Sequence, residues 1–275
     1  MTDGPWSHQR SSSIADDIDF EIKGQEPQFL EIELDPGESA VAEAGAMVWK
    51  EASIGMTTVF GDGSASQGSG FMGKLLGAGK RLITGESLFT TVFTHNGSGK
   101  ARVAFASPVP GSILPIKLDQ YGGALICQKD SFLAAAKGVS IGVHFQRRMM
   151  TGLFGGEGFI MQRLEGDGWG FVQMGGTLVE RTLGAGEELH IDTGCVAAYT
   201  AGVDFDIISA GSVRSALFGG EGLFFARLRG PGVVWIQSLP FARLAARMLA
   251  ASGTGGQNRG EGSMLGQLGN LLDGD

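Results

Sequence analysis

The chain has 275 residues, of which 43% are hydrophobic and 18% are charged, and its formal net charge is -8. A chain of this length and apolar content can bury a sizeable core. Its acidic balance argues against nonspecific binding to nucleic acid, which needs lysine and arginine to neutralise phosphates.

The N-terminal residues 1–17 are mostly polar and predict a flexible segment. They carry neither the charged start nor the apolar run of a signal peptide, and no stretch of the sequence approaches the ~18 apolar residues of a membrane span. The two cysteines, Cys127 and Cys195, form no Cys-x-x-Cys pair, which favours buried thiols in a reducing compartment over a disulfide framework. We therefore expect a cytoplasmic protein.

An internal duplication dominates residues 18–239. A shift of 64 residues superposes Leu153–Gln173 on Leu217–Gln237 without a gap, and 11 of the 21 positions are identical, including the hexapeptide LFGGEG. The segment Leu82–Phe93 contains a more diverged copy of the same unit, TGESLF. Self-similarity of this kind predicts a repeat architecture, with repeats at roughly 20–119, 120–182 and 183–239.

Each repeat has the pattern of short β-strands. Runs such as GFIMQRL and GWGFVQM are rich in aliphatic and aromatic residues and are separated by glycine turns. The helical patterns of about 10 to 15 residues that would alternate with strands in an α/β fold are missing. The predicted class is all-β, with antiparallel repeats and one or two short helices.

Two amphipathic stretches depart from the strand pattern. The first lies in an insertion of the first repeat, at Phe71–Leu82, and the second predicts a C-terminal helix over residues 240–251, before a flexible glycine-rich tail at 252–275. Apolar and basic residues on such stretches can pack on the protein itself or contact a lipid surface or partner protein. The candidate contact residues are Phe71, Lys74, Leu75, Leu76, Lys80, Arg81, Phe241, Arg243, Leu244, Arg247 and Met248.

The repeated LFGGEG motif has two interpretations. Its glycines let a ligand approach the backbone closely and its glutamate can bind a cation or a hydrogen-bond donor. Alternatively, the glycines form a turn and the glutamate bonds nearby backbone N–H groups or an arginine, which the recurrence of the motif favours. The residues concerned are Gly85, Glu86, Gly155, Gly156, Glu157, Arg163, Gly219, Gly220, Glu221 and Arg227.

Catalytic and metal-binding patterns are missing from the sequence. The histidines His8, His95, His144 and His190 are scattered, without the spacing that zinc sites show. We therefore predict no catalytic residue, no metal site and no cofactor.

Taken together, these motifs give the chain a close resemblance to the mitochondrial biogenesis AIM family (altered inheritance of mitochondria, member twenty-four) and its bacterial relatives. Between about Phe20 and Leu239 the resemblance rests on AGAMV, TGESLF, PGSILPIKL, QKDSFLA, both LFGGEG elements and GPGVVWIQS. It implies a fold like the tryptophan RNA-binding attenuator protein, with three pseudo-symmetric β repeats in a double-stranded β-helix type of sandwich. It implies no established enzymatic activity, and the eukaryotic relative is associated with the mitochondrial inner membrane.

The function expected from these observations is that of a noncatalytic scaffold. We expect a homo-oligomer, a trimer or higher, that binds a protein partner or a membrane surface peripherally and does not bind nucleic acid. Two alternatives stay open, a small-molecule binding module with a ligand between subunits or repeats, and a cupin-like metal enzyme.

Overall fold

The computed structural model describes residues 15–43, 45–60, 89–147, 159–209 and 224–252. In these ranges the chain forms nineteen β-strands, three short 3-10 turns and one α-helix, α1 (Phe241–Ser252). The strands form four sheets in which all neighbouring strands are antiparallel. The predicted all-β class with one or two short helices is confirmed.

The strands have the following bounds. The first part of the chain contains β1 (Asp19–Lys23), β2 (Phe29–Leu34), β3 (Ser39–Glu43), β4 (Met47–Lys50), β5 (Ile54–Phe60), β6 (Phe89–His95) and β7 (Ala101–Ala106). The middle part contains β8 (Gly111–Lys117), β9 (Ala124–Gln128), β10 (Phe132–Ala136), β11 (Ser140–Arg147), β12 (Phe159–Glu165) and β13 (Trp169–Gly175). The last part contains β14 (Leu178–Leu183), β15 (Glu188–Asp192), β16 (Val196–Thr200), β17 (Asp204–Ser209), β18 (Phe224–Arg229) and β19 (Gly232–Gln237).

The same pairing scheme occurs in three successive strand sets, β2 to β7, β8 to β13 and β14 to β19. In each set the first, sixth and third strands lie side by side, and so do the fourth, fifth and second. The sets begin at Phe29, Gly111 and Leu178, so that β8 lies with the middle set and not with the first repeat expected from the sequence. A pseudo-threefold axis and the likeness to the attenuator protein stay predictions.

Small side chains join one strand set to the next. β3 pairs with β10 through Ala42 opposite Ala134, and β9 pairs with β16 through Cys127 opposite Ala198. All four side chains are fully buried. Because small residues allow close packing above and below the sheet, each junction continues one six-stranded sheet from one set into the next.

A β-bulge recurs in the third strand of every set, where the register with the sixth strand shifts by one residue. The bulged residues are Val48 in β4, Leu133 in β10 and Ala197 in β16. Leu133 and Ala197 are fully buried, whereas Val48 is 55% exposed. The difference arises because β4 is an edge strand that pairs only with β7 among the strands described. The first set therefore exposes apolar surface at a position that the other two sets bury.

Because Leu133 is buried and Val48 is exposed, shortening the two side chains should destabilise the protein by different amounts. Leu133→Ala should lower the free energy of unfolding by about 2 to 5 kcal/mol, because it empties a filled core site. Val48→Ala, at the corresponding position of β4, should cost less than about 1 kcal/mol. Urea denaturation of both variants measures the difference, and equal losses would show that the two bulges have the same environment.

Candidate functional site

A narrow pocket lies where the ends of β7, β13 and β19 meet, beside the start of α1. Its empty volume is about 350 Å³, part of which is open to solvent. We call it the glutamine pocket because three buried glutamine side chains line it. The residues that matter for its chemistry are Ser107, Gln128, Asp130, Gln173, Gln237 and Phe241.

The side chain of Gln237 uses both ends of its amide. Its Oε1 accepts a hydrogen bond of 3.0 Å from the backbone N–H of Gly175, and its Nε2 donates to the carbonyl of Gly194 at 3.0 Å. The same Nε2 lies 3.3 Å from Oε1 of Gln128. This network ties β19 to β13 and to the turn before β16, so Gln237 has a clear structural role.

Gln173 is the corresponding residue 64 positions earlier, but only the nitrogen of its side-chain amide forms a hydrogen bond to a described residue. Its Nε2 donates to the carbonyl of Asp130 at 2.9 Å, the counterpart of the bond from Gln237 to Gly194. Its Oε1 is buried and has no hydrogen-bond partner among the described residues. A buried amide oxygen without a donor costs free energy, and native structures contain few of them. The amide oxygen of Gln173 is therefore closed off from solvent and from the described donors.

A close backbone approach fixes the wall of the pocket at Gly175. The N–H of Leu239 donates to the carbonyl of Gly175 at 2.9 Å, which holds the segment before α1 against the end of β13. A Cβ atom added at Gly175 would collide with the carbonyl oxygen of Leu239. Only glycine fits this approach.

A partly buried carboxyl group, that of Glu43, lies within electrostatic reach of Asp130. Burial, followed by repulsion from the carboxylate of Asp130, raises the pKa of Glu43 to about 7, while Lys129 opposes the shift. Asp130 itself is exposed at the rim of the pocket. Glu43 is therefore largely uncharged below pH 7, and the charges of Asp130 and Lys129 act on it in opposite directions.

The helix α1 begins immediately after the buried Pro240 and occupies residues 241–252, where the sequence predicted a helix over 240–251. Phe241 and Met248 are 49% and 62% exposed, and Nη2 of Arg243 lies 3.5 Å from Oδ2 of Asp192. In the described part of the chain, α1 is too short and insufficiently apolar to cross a membrane. The helix therefore lies on the surface with apolar side chains open to solvent.

The predicted turn residues are only partly described. Arg163 in β12 pairs with Glu165, with Nε and Oε1 2.7 Å apart, and Arg227 in β18 pairs with Asp206 at 3.2 Å. Both arginines thus have acidic partners outside the LFGGEG motif. Outside the described residues lie Gly85, Glu86, Gly155, Gly156, Glu157, Gly219, Gly220 and Glu221, and also Phe71, Lys74, Leu75, Leu76, Lys80 and Arg81.

The two cysteines and His95 are buried within the fold. Cys127 and Cys195 are buried free thiols, as predicted, and burial, followed by the negative charge of Glu43, raises the pKa of Cys127 to about 12. His95 lies 2.9 Å from the carbonyl of Gly99 through Nε2 and accepts the N–H of Gly97 at Nδ1. Within the described ranges, no group of three or more His, Cys, Asp or Glu side chains could hold a metal ion.

The sequence indicated only part of this site. Gln173 and Gln237 align in the 64-residue repeat, so two identical polar residues at the ends of buried strands were the available signal. Gln128 and Asp130 belong to another turn, and nothing in the sequence places that turn beside the ends of β13 and β19. The pocket could therefore be found only from the fold.

Comparisons with known proteins give one family model and two similar proteins. The family model for mitochondrial biogenesis AIM24 matches residues 20–239. An uncharacterised protein of Streptococcus pyogenes serotype M6 is 31% identical over 222 residues, which cover 80% of this chain and 84% of that protein. The crystal structure of a Streptococcus pyogenes protein superposes with a TM-score of 0.68 at 26% identity, covering 85% of this chain and 99% of the other.

The approach of Leu239 to Gly175 can be tested by adding one methyl group. Gly175→Ala should lower the free energy of unfolding by more than about 2 kcal/mol, because the new Cβ meets a backbone carbonyl that cannot move freely. Gly142→Ala in β11 is the matched control, since a Cβ there meets no atom within 4 Å. Urea denaturation of both variants gives the comparison, and a stable Gly175→Ala protein would contradict the packing described.

The raised pKa of Glu43 predicts a pH-dependent stability. Between pH 4.5 and about 7 the unfolded chain ionises this carboxyl while the folded chain keeps it protonated, so the free energy of unfolding falls as pH rises. Glu43→Gln removes this contribution. The free energy of unfolding of Glu43→Gln minus that of the wild type should therefore be about 2 to 3 kcal/mol larger at pH 8 than at pH 4.5. If the free energies of unfolding of the variant and the wild type differ by the same amount at both pH values, the raised pKa of Glu43 is contradicted.

Proposed function

The chain belongs to the mitochondrial biogenesis AIM24 family, and on this premise we propose that it is a noncatalytic scaffold protein. In this proposal several copies assemble through their β domains and attach to a membrane surface through α1. A protein partner at α1 is the alternative. The observation that carries the proposal is the exposure of the apolar side chains of α1 at the surface of a β domain.

The composition of α1 favours a lipid surface. Phe241 and Met248 are about half exposed, and Arg243 and Arg247 lie along the same helix. Apolar residues flanked by arginines suit the interface of an anionic membrane, where the side chains enter the acyl boundary and the guanidinium groups meet headgroups. The exposed halves of Phe241 and Met248 would contribute only about 1 kcal/mol each.

Because two half-exposed side chains contribute so little binding free energy, the proposal also requires that several copies of the chain assemble. A few kcal/mol correspond to a dissociation constant of millimolar or weaker for one helix. Several helices on one particle bind far more strongly, because each contact after the first is intramolecular. A homo-oligomer would therefore turn a weak lipid contact into stable attachment.

The edge strand β4 supports self-assembly. Val48 and Trp49 are 55% and 37% exposed on this short strand, although Leu133 and Ala134, at the corresponding positions of β10, are fully buried. An edge strand also presents unpaired backbone groups that can add a strand from another chain. Contact with a second copy would cover both the apolar side chains and the edge.

The burial of Cys127 and His95 favours a noncatalytic role. The thiol of Cys127 is buried with a pKa near 12, so it gives almost no thiolate at neutral pH. His95 is buried, and the backbone of its own hairpin engages both ring nitrogens. These groups stabilise the fold and are poorly placed to meet a substrate.

Vesicle flotation tests the attachment through α1. The wild-type protein should float with vesicles that contain phosphatidylserine and float less with neutral phosphatidylcholine vesicles, because the arginines gain from anionic lipid. The double variant Phe241→Ser with Met248→Ser should lose most of this binding, while its thermal unfolding should change only modestly because about half of each side chain is exposed.

The control replaces an exposed apolar residue elsewhere. Val179→Ser in β14, where the side chain is 44% exposed, should float as the wild type does. Equal flotation of the double variant and the wild type would contradict the role of α1. Absence of flotation for all proteins, with a cellular protein bound specifically through the same two residues, would support the alternative of a protein partner.

A further inference from the structure

Two sheet edges are left over by the pairing scheme that joins the strand sets. The third strand of a set pairs with the second strand of the set before it, as β10 pairs with β3 and β16 pairs with β9. β4 is the third strand of the first set, and β15 is the second strand of the last set. Among the described strands, β4 pairs only with β7 and β15 pairs only with β18. One chain therefore carries both halves of a junction that its described strands do not form.

The 64-residue repeat fixes the register of this missing junction. Ile191 in β15 lies 64 positions after Cys127 in β9, and the two strands pair with β18 and β12 in the same register. Trp49 in β4 and Ala198 in β16 are both the first paired residue after the bulge. Cys127 lies opposite Ala198 in the junction that forms. The missing junction would therefore place Ile191 opposite Trp49.

Apolar side chains meet on one face of this register. Trp49 is 37% exposed, whereas Ile191 is buried and Leu189, two residues earlier in β15, is half-buried. In an antiparallel pair an aromatic side chain can reach both the residue opposite and its diagonal neighbour. The indole of Trp49 would therefore cover Leu189 and Ile191, and the contact would remove its own exposed surface from water.

Opposite charges meet on the other face. Lys50 follows Trp49 and would lie opposite His190, with Glu188 and Asp192 as its diagonal neighbours on the same face of β15. The side chains of His190 and Glu188 are 47% and 42% exposed, so this face of β15 is open in the described chain. A lysine between two carboxylates stabilises a cross-strand contact. The two edges are thus complementary in both their apolar and their charged residues.

The size of the side chains favours a contact between copies over closure within one chain. Trp49 and Ile191 stand where the two junctions that form have pairs of alanine or of alanine and cysteine. Strands of one chain are held in position by those two junctions, whereas two separate copies can tilt relative to each other to accommodate an indole ring. Val48, at the bulge of β4, is 55% exposed, so the described chain does not cover this edge itself.

We propose that copies of this chain join head to tail, with β4 of one copy pairing antiparallel with β15 of the next. The sheet of β1, β2, β7 and β4 then continues into the sheet of β15, β18 and β17 of the neighbouring copy. This contact, which rests on the self-assembly proposed above, is heterologous because β4 and β15 are different surfaces. A dimer keeps one free edge of each kind, so growth continues until a ring closes or a filament forms.

Oxidative cross-linking tests the contact and its register. Directly opposite residues of antiparallel strands have Cα atoms about 4.5 to 5.5 Å apart, which suits a disulfide. The double variant Lys50→Cys with His190→Cys should therefore give a ladder of covalent multimers on a non-reducing denaturing gel. Cys127 and Cys195 are buried and should contribute little to this ladder.

The matched control moves one cysteine to the far edge of the same sheet. Lys50→Cys with Asp204→Cys places the second thiol at an exposed position of β17, on the other side of β18, and should give no ladder. An equal ladder from the control would overturn the register. A double variant whose new thiols join within one chain would show that β4 and β15 close on each other, which also overturns the proposal.

Charge reversal gives a second measurement that needs no new cysteine. Lys50→Glu places a third acidic side chain beside Glu188 and Asp192 and should raise the dissociation constant of the assembly at least about tenfold. Arg181→Glu, at an exposed position of β14, makes the same change in net charge and should leave the assembly unchanged. Equal effects of the two variants on the mass measured by light scattering would contradict the contact.

The light-scattering mass of the wild type separates this contact from self-assembly as such. A wild-type assembly of several chains, combined with no covalent ladder in the double cysteine variant, would overturn the pairing of β4 with β15 and leave self-assembly standing. A wild-type particle of one chain would contradict both.

Discussion

Cross-strand pairs between small, fully buried side chains join each strand set to the next. Ala42 faces Ala134 and Cys127 faces Ala198, and each pair lies in the middle of a six-stranded sheet. A large side chain at these positions would separate the strands and open the cores on both sides, because protein interiors have little free volume. The three sets can meet at the glutamine pocket only because these junctions hold their sheets together.

Departures from the repeated pattern create the surfaces on which function is proposed to depend. Trp49 stands in β4 where the buried junctions carry Ala134 and Ala198, and β4 remains an edge strand in the described chain. Oε1 of Gln173 in the middle set lacks, among the described residues, a donor like the N–H of Gly175 that bonds Oε1 of Gln237 in the last set. β10 and β16 each pair with the second strand of the preceding set, whereas β4 belongs to the first set and has no preceding set to pair with.

The sequence predicted the elements better than their arrangement. Alternating apolar runs and glycine turns were sufficient for the all-β class, and the spacing of Phe241, Leu244 and Met248 was sufficient for α1, because both signals are local. The pocket depends instead on contacts between residues such as Asp130 and Gln173, which are 43 positions apart. Strand register arises from pairing between distant strands, which no local pattern specifies.

The central claim is that copies of this chain assemble into a scaffold. Light scattering of the full chain after size-exclusion chromatography, at micromolar concentration and physiological salt, measures this claim directly. The account predicts a mass at least three times that of the single chain, whose mass is 28.7 kDa. A particle with the mass of one chain under these conditions would contradict the account.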